Sequence, residues 1–246
     1  MPGNAPTDLA REAETSHLVA IITGAGSGIG RATSELLSAR GHRLVLVGRR
    51  LDRLTETGAM LNSQWLAAPA DVSDETQLQS VITSTLARFG RIDALINNAG
   101  FAPMAAIDQH NPRLIREVFA INAIAPAIFI AAVWPTMLRQ KSGRIVNVSS
   151  LAAVDPFPGF FAYSAAKASM NLLAFAASNE GRTHGIRAFA VAPGAVETDM
   201  LRAIISKDAL PRTRTLTPRA VASVIVQCAT GERDAESGQT ILVPSP

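Results

Sequence analysis

A short apolar run that leads without a gap into a glycine-rich turn constrains the fold of this chain most. Residues 18–23 (LVAIIT) form the kind of continuous apolar segment that is buried in a parallel sheet, and residues 24–30 (GAGSGIG) follow directly. Apolar residues then recur at helical spacing, at Ala32, Leu36 and Leu37. The order strand, glycine turn, helix predicts the first βα unit of an α/β protein.

The glycine turn suits a pyrophosphate. Glycines let backbone N–H groups and a helix N-terminus approach the phosphate oxygens, which a Cβ would hold away. The spacing is Thr-Gly-x-x-x-Gly-x-Gly, on Thr23, Gly24, Gly28 and Gly30. It differs from the common Gly-x-Gly-x-x-Gly, and from a P-loop, which needs Gly-Lys-Ser/Thr. A tight turn between strand and helix is the alternative explanation of these glycines.

The alternation of strand and helix continues along the chain. Short apolar or alternating runs predict further strands at 43–47, 65–70, 92–96, 145–148, 186–192 and 237–243. Helical spacing predicts helices at 74–89, at 111–140 with a break near Asn122, and at 162–182. We therefore expect an α/β fold, a single doubly wound Rossmann-type parallel sheet with helices on both faces. The ligand should lie across the carboxyl ends of the strands.

Domain organisation follows from length and from the character of the first residues. We expect residues 18–246 to form one domain, since α/β folds of this length commonly do. The glycine turn makes it a candidate dinucleotide-binding catalytic domain. Residues 1–17 mix charged residues with Pro and Gly and lack an apolar segment. They predict a flexible tail that is neither a signal peptide nor a membrane anchor. No run of about 18 uncharged apolar residues is recognised elsewhere, so we expect a cytoplasmic protein without a membrane partner.

Composition argues against two further classes of function. Hydrophobic residues make up 48% of the chain and charged residues 17%, which allows a sizeable core. The formal net charge of +3 is small and its Lys and Arg are scattered, so no nucleic-acid partner is expected. No metal site is expected either, because Cys228 and the four histidines are far apart in sequence. Those histidines are His17, His42, His110 and His184.

Tyr163 and Lys167 are the candidate catalytic pair. They stand four residues apart on a predicted helix, hence on one face, and Ser150 ends the preceding strand. An ammonium beside a phenol favours the phenolate and should lower the pKa of Tyr163 from its usual ~10. Ser150 would hold a substrate oxygen, so the three predict proton transfer to or from a carbonyl or alcohol oxygen. The alternative is an amphipathic helix Tyr beside a solvated Lys.

This segment resembles the signature of the short-chain dehydrogenase/reductase family. That signature is a Ser followed thirteen residues later by Tyr-x-x-x-Lys, matched by Ser150, Tyr163 and Lys167. The family also uses the Thr-Gly-x-x-x-Gly-x-Gly turn, and the resemblance extends over about residues 18–243. The ending, residues 237–246, departs from the family's usual Asp-Gly-Gly, which leaves contacts made by that end open.

The resemblance implies an oxidoreductase that transfers a hydride between a nicotinamide cofactor and a carbonyl or secondary alcohol. Tyr163 would be the general acid/base, and Ser150 would hydrogen-bond the substrate oxygen. Lys167 would bind ribose hydroxyls and favour ionisation of Tyr163. Asn122 would hold a water that connects Lys167 to solvent, although hydrogen bonds within the core would also explain a buried amide there.

Three further elements match motifs of the family. Asp71 would lie near the adenine. The alternative is a helix cap before Glu75, a role that Ser73 or Asp74 could equally take. Residues 97–100 (NNAG) would support the sheet and border the cofactor, and Val196 and Thr198 would lie beside the nicotinamide carboxamide. The predicted cofactor-binding residues are Thr23, Gly24, Ser27, Gly28, Ile29, Gly30, Arg49, Arg50, Asp71, Val72, Asn98, Ala99, Gly100, Tyr163, Lys167, Pro193, Gly194, Val196 and Thr198.

The end of the second strand predicts which dinucleotide binds. An NAD enzyme needs a carboxylate there for the ribose hydroxyls, whereas an NADP enzyme needs a cation for the 2′-phosphate. This chain has Arg49 and Arg50 after Gly48 and no acid until Asp52. We therefore expect NADP(H) to be preferred over NAD(H). Solvated turn arginines are the alternative, since Ser27 stands where many NADP users of the family carry a second basic residue.

The substrate pocket and the assembly are also predicted. An apolar insert between Ser150 and Tyr163 carries Leu151, Val154, Phe157, Phe160 and Phe161. Residues 199–211 read as a mobile lid that adds Met200 and Leu201, so a small apolar carbonyl or alcohol is the expected substrate. The family usually pairs through its two long helices, which implies a homotetramer or dimer. Their small residues are Ala123, Ala125, Ala127, Ala165, Ala166 and Ala168, which would equally allow tight packing within one subunit.

Two rival functions come from other classes. A cofactor-binding protein without turnover should have lost Ser, Tyr or Lys, and all three residues are present. A serine hydrolase built on Ser150 should show Gly-x-Ser-x-Gly, which is missing, and no His has an identifiable place beside that Ser. The oxidoreductase interpretation is therefore preferred.

Overall fold

The protein is built on a seven-stranded sheet in which every neighbouring pair of strands is parallel. The computed structural model describes residues 17–246, so the tail predicted for 1–17 lies outside the described residues apart from His17. The strand order is β3-β2-β1-β4-β5-β6-β7. The strands are β1 Val19–Thr23, β2 Arg43–Gly48, β3 Trp65–Pro69, β4 Ala94–Asn97, β5 Gly143–Val148, β6 Ile186–Pro193 and β7 Thr240–Val243.

Helices connect the strands and cover the sheet. The α-helices are α1 Gly28–Ala39, α2 Leu51–Ala59, α3 Glu75–Phe89, α4 Pro112–Phe119, α5 Ala125–Gln140, α6 Phe161–Gly181, α7 Asp199–Arg202 and α8 Pro218–Thr230. Short 3₁₀ helices lie at Ile107–Gln109, Leu151–Ala153, Arg182–His184, Arg212–Arg214 and Asp234–Glu236. The residue types at the starts of α4 and α8 explain why these helices begin there. Asn111 and Thr217 cap them, and a Pro occupies the first helical position of each.

Two separate hydrophobic cores flank the sheet. Alternate residues of a strand point to opposite faces, so Ile22 packs in one core and Ile21 in the other. The first core receives buried residues of α1, α2 and α8, and the second receives those of α3, α5 and α6. The predicted doubly wound α/β sheet with helices on both faces is confirmed.

The chain reverses direction across the sheet between β3 and β4. Since β2 and β4 pair with opposite edges of β1, their following turns diverge and leave a crevice at the carboxyl ends. The strand predicted at 92–96 instead spans 94–97. Asp93 turns its carboxylate inward, where it accepts from the Val19 N–H at 2.9 Å and pairs with Arg91 at 2.7 Å. The last strand is also shorter than predicted, beginning at Thr240.

Asn122 lies at a π-helical segment, Ala120–Ile124, that joins α4 to α5. Its side-chain amide donates to the Val118 carbonyl at 2.9 Å and to the Phe101 carbonyl at 2.7 Å, and its Oδ1 accepts from the Phe101 N–H at 3.2 Å. The break predicted near this residue is confirmed.

By length and composition alone, the helical stretch 112–140, which includes the π-helical segment, is long and apolar enough to cross a membrane. Core helices of soluble proteins pass the same test, so one such stretch is weak evidence. In this fold the stretch packs against α3, α6 and β5.

Candidate active site

A cavity of about 910 Å³ opens at the carboxyl ends of the strands. The turns after β1, β2, β4, β5 and β6 all contribute to its wall, together with the first turns of α6. Segments that are far apart in the sequence therefore meet at one edge of the sheet, as expected for a doubly wound fold.

The glycine turn forms one wall of the cavity. Gly28 has a φ of +53°, and a Cβ there would lie 3.1 Å from Thr198 Cγ2. A Cβ on Gly26 would lie 2.9 Å from the Cβ of Arg53. Ser27 and Ile29 also line the cavity, at the start of α1. Glycine at these two positions therefore lets the turn pack closely against Arg53 and Thr198 where it leads into the N-terminus of α1.

Three predicted site residues lie behind the cavity wall instead of lining it. Thr23 is buried, and its hydroxyl oxygen accepts from the backbone N–H groups of Asn98 and Ala99, both at 2.9 Å. Gly30 packs so closely that a Cβ would lie 2.3 Å from the Gly24 carbonyl oxygen. Asn122 is fully buried, and its side chain is hydrogen-bonded to Phe101 and Val118. These residues hold the wall in place, because they join the elements that form it.

Asn98 ties the ends of β1 and β4 together. Its amide donates to the Thr23 carbonyl at 2.8 Å, and neighbouring Asn97 donates to Asn147 of β5 at 3.0 Å. Asn98, Ala99 and Gly100 line the cavity as predicted. Residues 97–100 therefore support three strands and border the cavity at the same time.

Ser150, Tyr163 and Lys167 meet in the cavity wall. Lys167 is buried, donates to the Val148 carbonyl at 2.8 Å, and holds its Nζ 5.8 Å from the centre of the Tyr163 ring. The Ser150 hydroxyl oxygen caps the 3₁₀ helix after β5 by accepting from the Ala152 N–H at 3.1 Å. Strand β5 and helix α6 thus present a hydroxyl, a phenol and an amine to one space.

Burial shifts the pKa values of both Tyr163 and Lys167. For Tyr163 the shift is upward, opposite to the lowering that the sequence predicted. Although the Tyr163 side chain is half-buried overall, desolvation of its hydroxyl raises its pKa to about 12, against a smaller lowering by a hydrogen bond to Ser150. Desolvation lowers the pKa of Lys167 to about 8. The expected lowering of the phenol pKa is therefore wrong for this structure, because desolvation raises that pKa by more than the hydrogen bond to Ser150 lowers it.

A group of arginines surrounds the end of β2. Arg49 and Arg50 are exposed and line the cavity. Arg53, one helical turn further on, lines it too, although no sequence motif indicated this residue. The available signal was its place in the first turn of α2, next to the predicted phosphate position. Its guanidinium donates to Glu56 at 2.9 Å.

Asp71 lines the cavity near these arginines. Hydrogen bonds from the side chain and backbone of Ser73 are the main causes that hold the pKa of Asp71 below its ordinary value, and the charge of Arg49 adds to them. The alternative role of a cap for α3 is wrong, since Asp74 takes it by accepting from the Thr76 and Gln77 N–H groups. Val72 lines the cavity beside it.

The segment after β6 closes the other side of the site. Pro193, Gly194 and Val196 line the cavity, and Thr198 caps α7 by accepting from the Leu201 N–H at 3.2 Å. The atypical C-terminal residues 244–246 line it as well, a contact that their sequence left open. Ser245 donates to the Ala195 carbonyl at 3.3 Å and so anchors that end beside β6.

Most of the predicted apolar substrate residues do line the cavity. Those that do so are Leu151, Phe157, Phe160, Met200 and Leu201, and the structure adds Met104, Ile204, Ile205 and Leu210. Val154 is 58% exposed, and Phe161 packs edge-on against His110 with ring centres 5.6 Å apart. Two polar residues, Glu117 and Arg214, also reach the wall.

A doubly wound sheet with a glycine turn and a Ser, Tyr and Lys at its carboxyl edge defines the class of Rossmann-type oxidoreductases. A family model described as short chain dehydrogenase matches residues 18–209, and the chain belongs to this family. It is accordingly an oxidoreductase of a family that binds nicotinamide cofactors and transfers hydride to or from carbonyl and alcohol substrates.

Two relatives that are named for their activities agree with the family. The chain is 36% identical over 192 residues to 2-(R)-hydroxypropyl-CoM dehydrogenase of Xanthobacter autotrophicus, which covers 74% of this chain and 76% of the relative. It is 33% identical over 233 residues to 3-oxoacyl-[acyl-carrier-protein] reductase of a Synechocystis species, covering 92% and 94%.

Solved structures agree with the fold. Levodione reductase superposes with a TM-score of 0.87 at 28% identity, covering 93% of this chain and 96% of that one. The 3-ketoacyl-(acyl-carrier-protein) reductase of Brucella melitensis, complexed with NADH, gives a TM-score of 0.87 at 26% identity, covering 92% and 96%.

Proposed function

We propose that the protein is an NADP(H)-dependent reductase of small apolar ketones or aldehydes, which also runs as an alcohol dehydrogenase. The observation that carries the proposal is the meeting of Ser150, Tyr163 and Lys167 in one cavity with the glycine turn. A protein that only bound the cofactor would not require Ser150, Tyr163 and Lys167 to lie together in this cavity.

Tyr163 acts as the general acid in the reduction. With a pKa of about 12 the phenol is protonated at neutral pH, so it has a proton to give to the substrate oxygen as negative charge develops there. Ser150 hydrogen-bonds the same oxygen and orients it towards the phenol. A bound nicotinamide supplies the hydride.

Lys167 acts through position and charge. Its Nζ is held by the Val148 carbonyl and lies near the Tyr163 ring, where it is placed to bind ribose hydroxyls and to stabilise charge on the phenol during proton transfer. For Asn122 we propose the role predicted from the sequence, which is to hold a water that connects Lys167 to solvent. Its hydrogen bonds to Phe101 and Val118 support a structural role more directly.

The residues of the cavity fit a dinucleotide. The glycine turn leads into the N-terminus of α1, whose free backbone N–H groups would bind a pyrophosphate. Gly26 and Gly28 let this turn pack against Arg53 and Thr198, since a Cβ there would lie 2.9 Å and 3.1 Å from them. Asp71, Val72, Asn98, Ala99 and Gly100 would border the adenosine side of the dinucleotide. Pro193, Gly194, Val196 and Thr198 would hold the nicotinamide end.

Arginines Arg49, Arg50 and Arg53 support a preference for the phosphorylated dinucleotide. All three residues line the cavity, and their guanidinium groups would donate charge-assisted hydrogen bonds to a 2′-phosphate bound beside them. The solved neighbour complexed with NADH shows that a related fold accepts the unphosphorylated cofactor, so the arginines are the feature to test.

The remaining expectations stay proposals. Strands drawn from residues 19–243 in one sheet support a single catalytic domain over 18–246. We also propose a cytoplasmic location, a homo-oligomeric assembly, and neither a nucleic-acid nor a membrane partner.

The function is tested with a panel of alkyl and aryl ketones, aldehydes, sugars and secondary alcohols, each followed by NADPH absorbance. We expect turnover of apolar ketones in preference to small polyols, because the substrate part of the cavity is mainly apolar. A clear preference for polyols would contradict the substrate class, and no turnover of any carbonyl or alcohol would contradict the function.

A further inference from the structure

The segment that follows β6 forms a closed loop against the substrate part of the cavity. Its base is joined by backbone bonds, from the Leu216 N–H to Ala195 at 2.8 Å and from the Glu197 N–H to Leu216 at 2.9 Å. Between these points the chain makes an excursion over residues 198–215. Its inner side carries the apolar cavity residues Met200, Leu201, Ile204, Ile205 and Leu210.

A single carboxylate holds both arms of this loop. Glu197 accepts from Arg202 through Nε, with both oxygens at 3.1 Å, and through Nη2. It also accepts from Arg212 Nε at 3.1 Å and from the Thr215 hydroxyl at 3.4 Å. Arg202 belongs to the outgoing arm, whereas Arg212 and Thr215 belong to the returning arm.

Arg202 then ties the tip of the loop to this carboxylate. Its Nη1 donates to the carbonyls of Leu210 at 2.8 Å, Ser206 at 3.2 Å and Ile205 at 3.4 Å. Its side chain is only 15% exposed and that of Glu197 is 21% exposed, whereas Arg212 is 68% exposed. These pairings lower the pKa of Glu197 to about 2, with the Arg202 hydrogen bond as the main cause, so the carboxylate stays ionised in any assay near neutral pH.

We propose that Glu197 and Arg202 are positioning residues, which keep the substrate wall of the cavity folded before any ligand binds. The part of this proposal that concerns substrate binding rests on the function proposed above. The part that concerns folding of the loop does not depend on that function. Because the loop is ordered in advance, its apolar residues meet the substrate without a further cost of ordering. Substrate affinity should therefore depend on the pair, while the proton-transfer step should not.

The first test is limited trypsin digestion of the ligand-free protein, with the rate of cleavage after Lys207 followed by mass spectrometry. Lys207 lies in the loop, and cleavage of a folded protein tracks the fraction of open molecules. We expect Glu197→Gln and Arg202→Met to raise the initial rate on the order of tenfold, since each removes a charge-assisted pair. An unchanged rate in both variants would overturn the proposal.

Asp234→Asn is the matched control. Asp234 takes a two-point hydrogen bond from Arg144, at 2.8 and 3.1 Å, and neither residue lines the cavity. We expect it to leave the Lys207 rate within about twofold of wild type, as surface changes elsewhere act locally. If Asp234→Asn opened the loop as much as Glu197→Gln, the effect would be general destabilisation and the proposal would fail.

The second test is kinetic and uses a ketone that the wild type turns over in the panel. We expect the loop variants to raise KM on the order of tenfold with kcat within about twofold, because binding common to ground state and transition state is lost. The NADPH Kd should change less than the ketone KM, because Thr198 is the one predicted cofactor-binding residue within the loop. Faster Lys207 cleavage with an unaltered KM would refute the positioning role. If wild type reduced no ketone, the proposed function would fail while the Lys207 rates still decided whether the pair folds the loop.

Discussion

At the scale of single residues, desolvation is the largest influence on the pKa of Tyr163. The phenol loses more by leaving water than it gains from Ser150. Lys167 likewise has its proton affinity lowered by its own burial. The two groups therefore have pKa values of about 12 and about 8, with the phenol kept as an acid.

Tyr163→Phe removes the acid and leaves the ring. We expect kcat to fall on the order of 10²-fold or more, since a positioned proton donor commonly contributes that much. The Kd of NADPH, measured by fluorescence titration, should stay within about twofold because the variant changes one hydroxyl. Retention of more than about a tenth of the wild-type kcat would show that another group donates the proton.

The same variant provides the blank for a pH measurement. Tyr163 is the single tyrosine, so tyrosinate absorbance of wild type minus Tyr163→Phe reports this phenol alone. We expect ionisation near pH 12 in the folded protein and near ~10 in urea. Since the folded pKa is the higher one, its contribution to stability is present below pH ~10 and is lost as the pH rises towards 12. A folded midpoint below 10 would contradict the desolvation argument.

At the scale of secondary-structure elements, the turn from β2 into α2 determines how the cofactor end of the cavity is charged. Arg49 and Arg50 leave the strand end, and Arg53 returns to the cavity from the first turn of the helix. Arg53 packs its Cβ against the glycine turn, so strand end, helix and turn form one basic wall.

We expect wild type to prefer NADPH over NADH by about 10- to 150-fold in kcat/KM, because hydrogen bonds to a charged partner are worth about 1.5–3 kcal/mol. Arg49→Ala should remove most of this preference, and Arg53→Ala should reduce it. Arg43→Ala is the matched control, since it removes the same charge from the other end of β2. Equal use of both cofactors by wild type, or an unchanged ratio in Arg49→Ala, would show that Arg49 does not bind the 2′-phosphate.

At the scale of the whole molecule, the two long helical stretches leave apolar side chains uncovered. Leu172 and Phe175 of α6 are 70% and 53% exposed, and Ile124 is 52% exposed. Three of the six alanines predicted for a subunit contact, Ala123, Ala125 and Ala166, are buried within one chain. For those three, packing within the subunit is therefore the better explanation, and the larger exposed residues remain for a contact between copies.

We expect the protein to form a dimer or tetramer through these helices, because three exposed apolar side chains gain by leaving water together. Light scattering at micromolar concentration should give a mass at least twice that of one chain, and Leu172→Glu should lower it. A wild-type mass near 25.9 kDa would contradict the assembly.

The sequence by itself determined the order of the elements and the composition of the two central motifs. Strand periodicity, the glycine turn and the Tyr-x-x-x-Lys spacing are local patterns, which neighbouring residues impose through sterics and helical geometry. For that reason the sheet, the break at Asn122 and many of the residues that line the cavity could be predicted. Strand ends were less certain, as Asp93 shows, because a side chain can satisfy a backbone N–H from another strand.

Only the tertiary structure decided which of those residues face the cavity and what their surroundings do to them. Thr23, Gly30 and Asn122 fit the motifs but lie behind the wall, while Arg53 and the C-terminal residues 244–246 line it without matching any motif. The pKa of Tyr163 is raised by burial, and the ring packs against a cluster that includes Val118 and Ala123, which are distant in the chain. Contact between remote segments and the loss of water around a side chain arise from packing, and a local pattern contains neither.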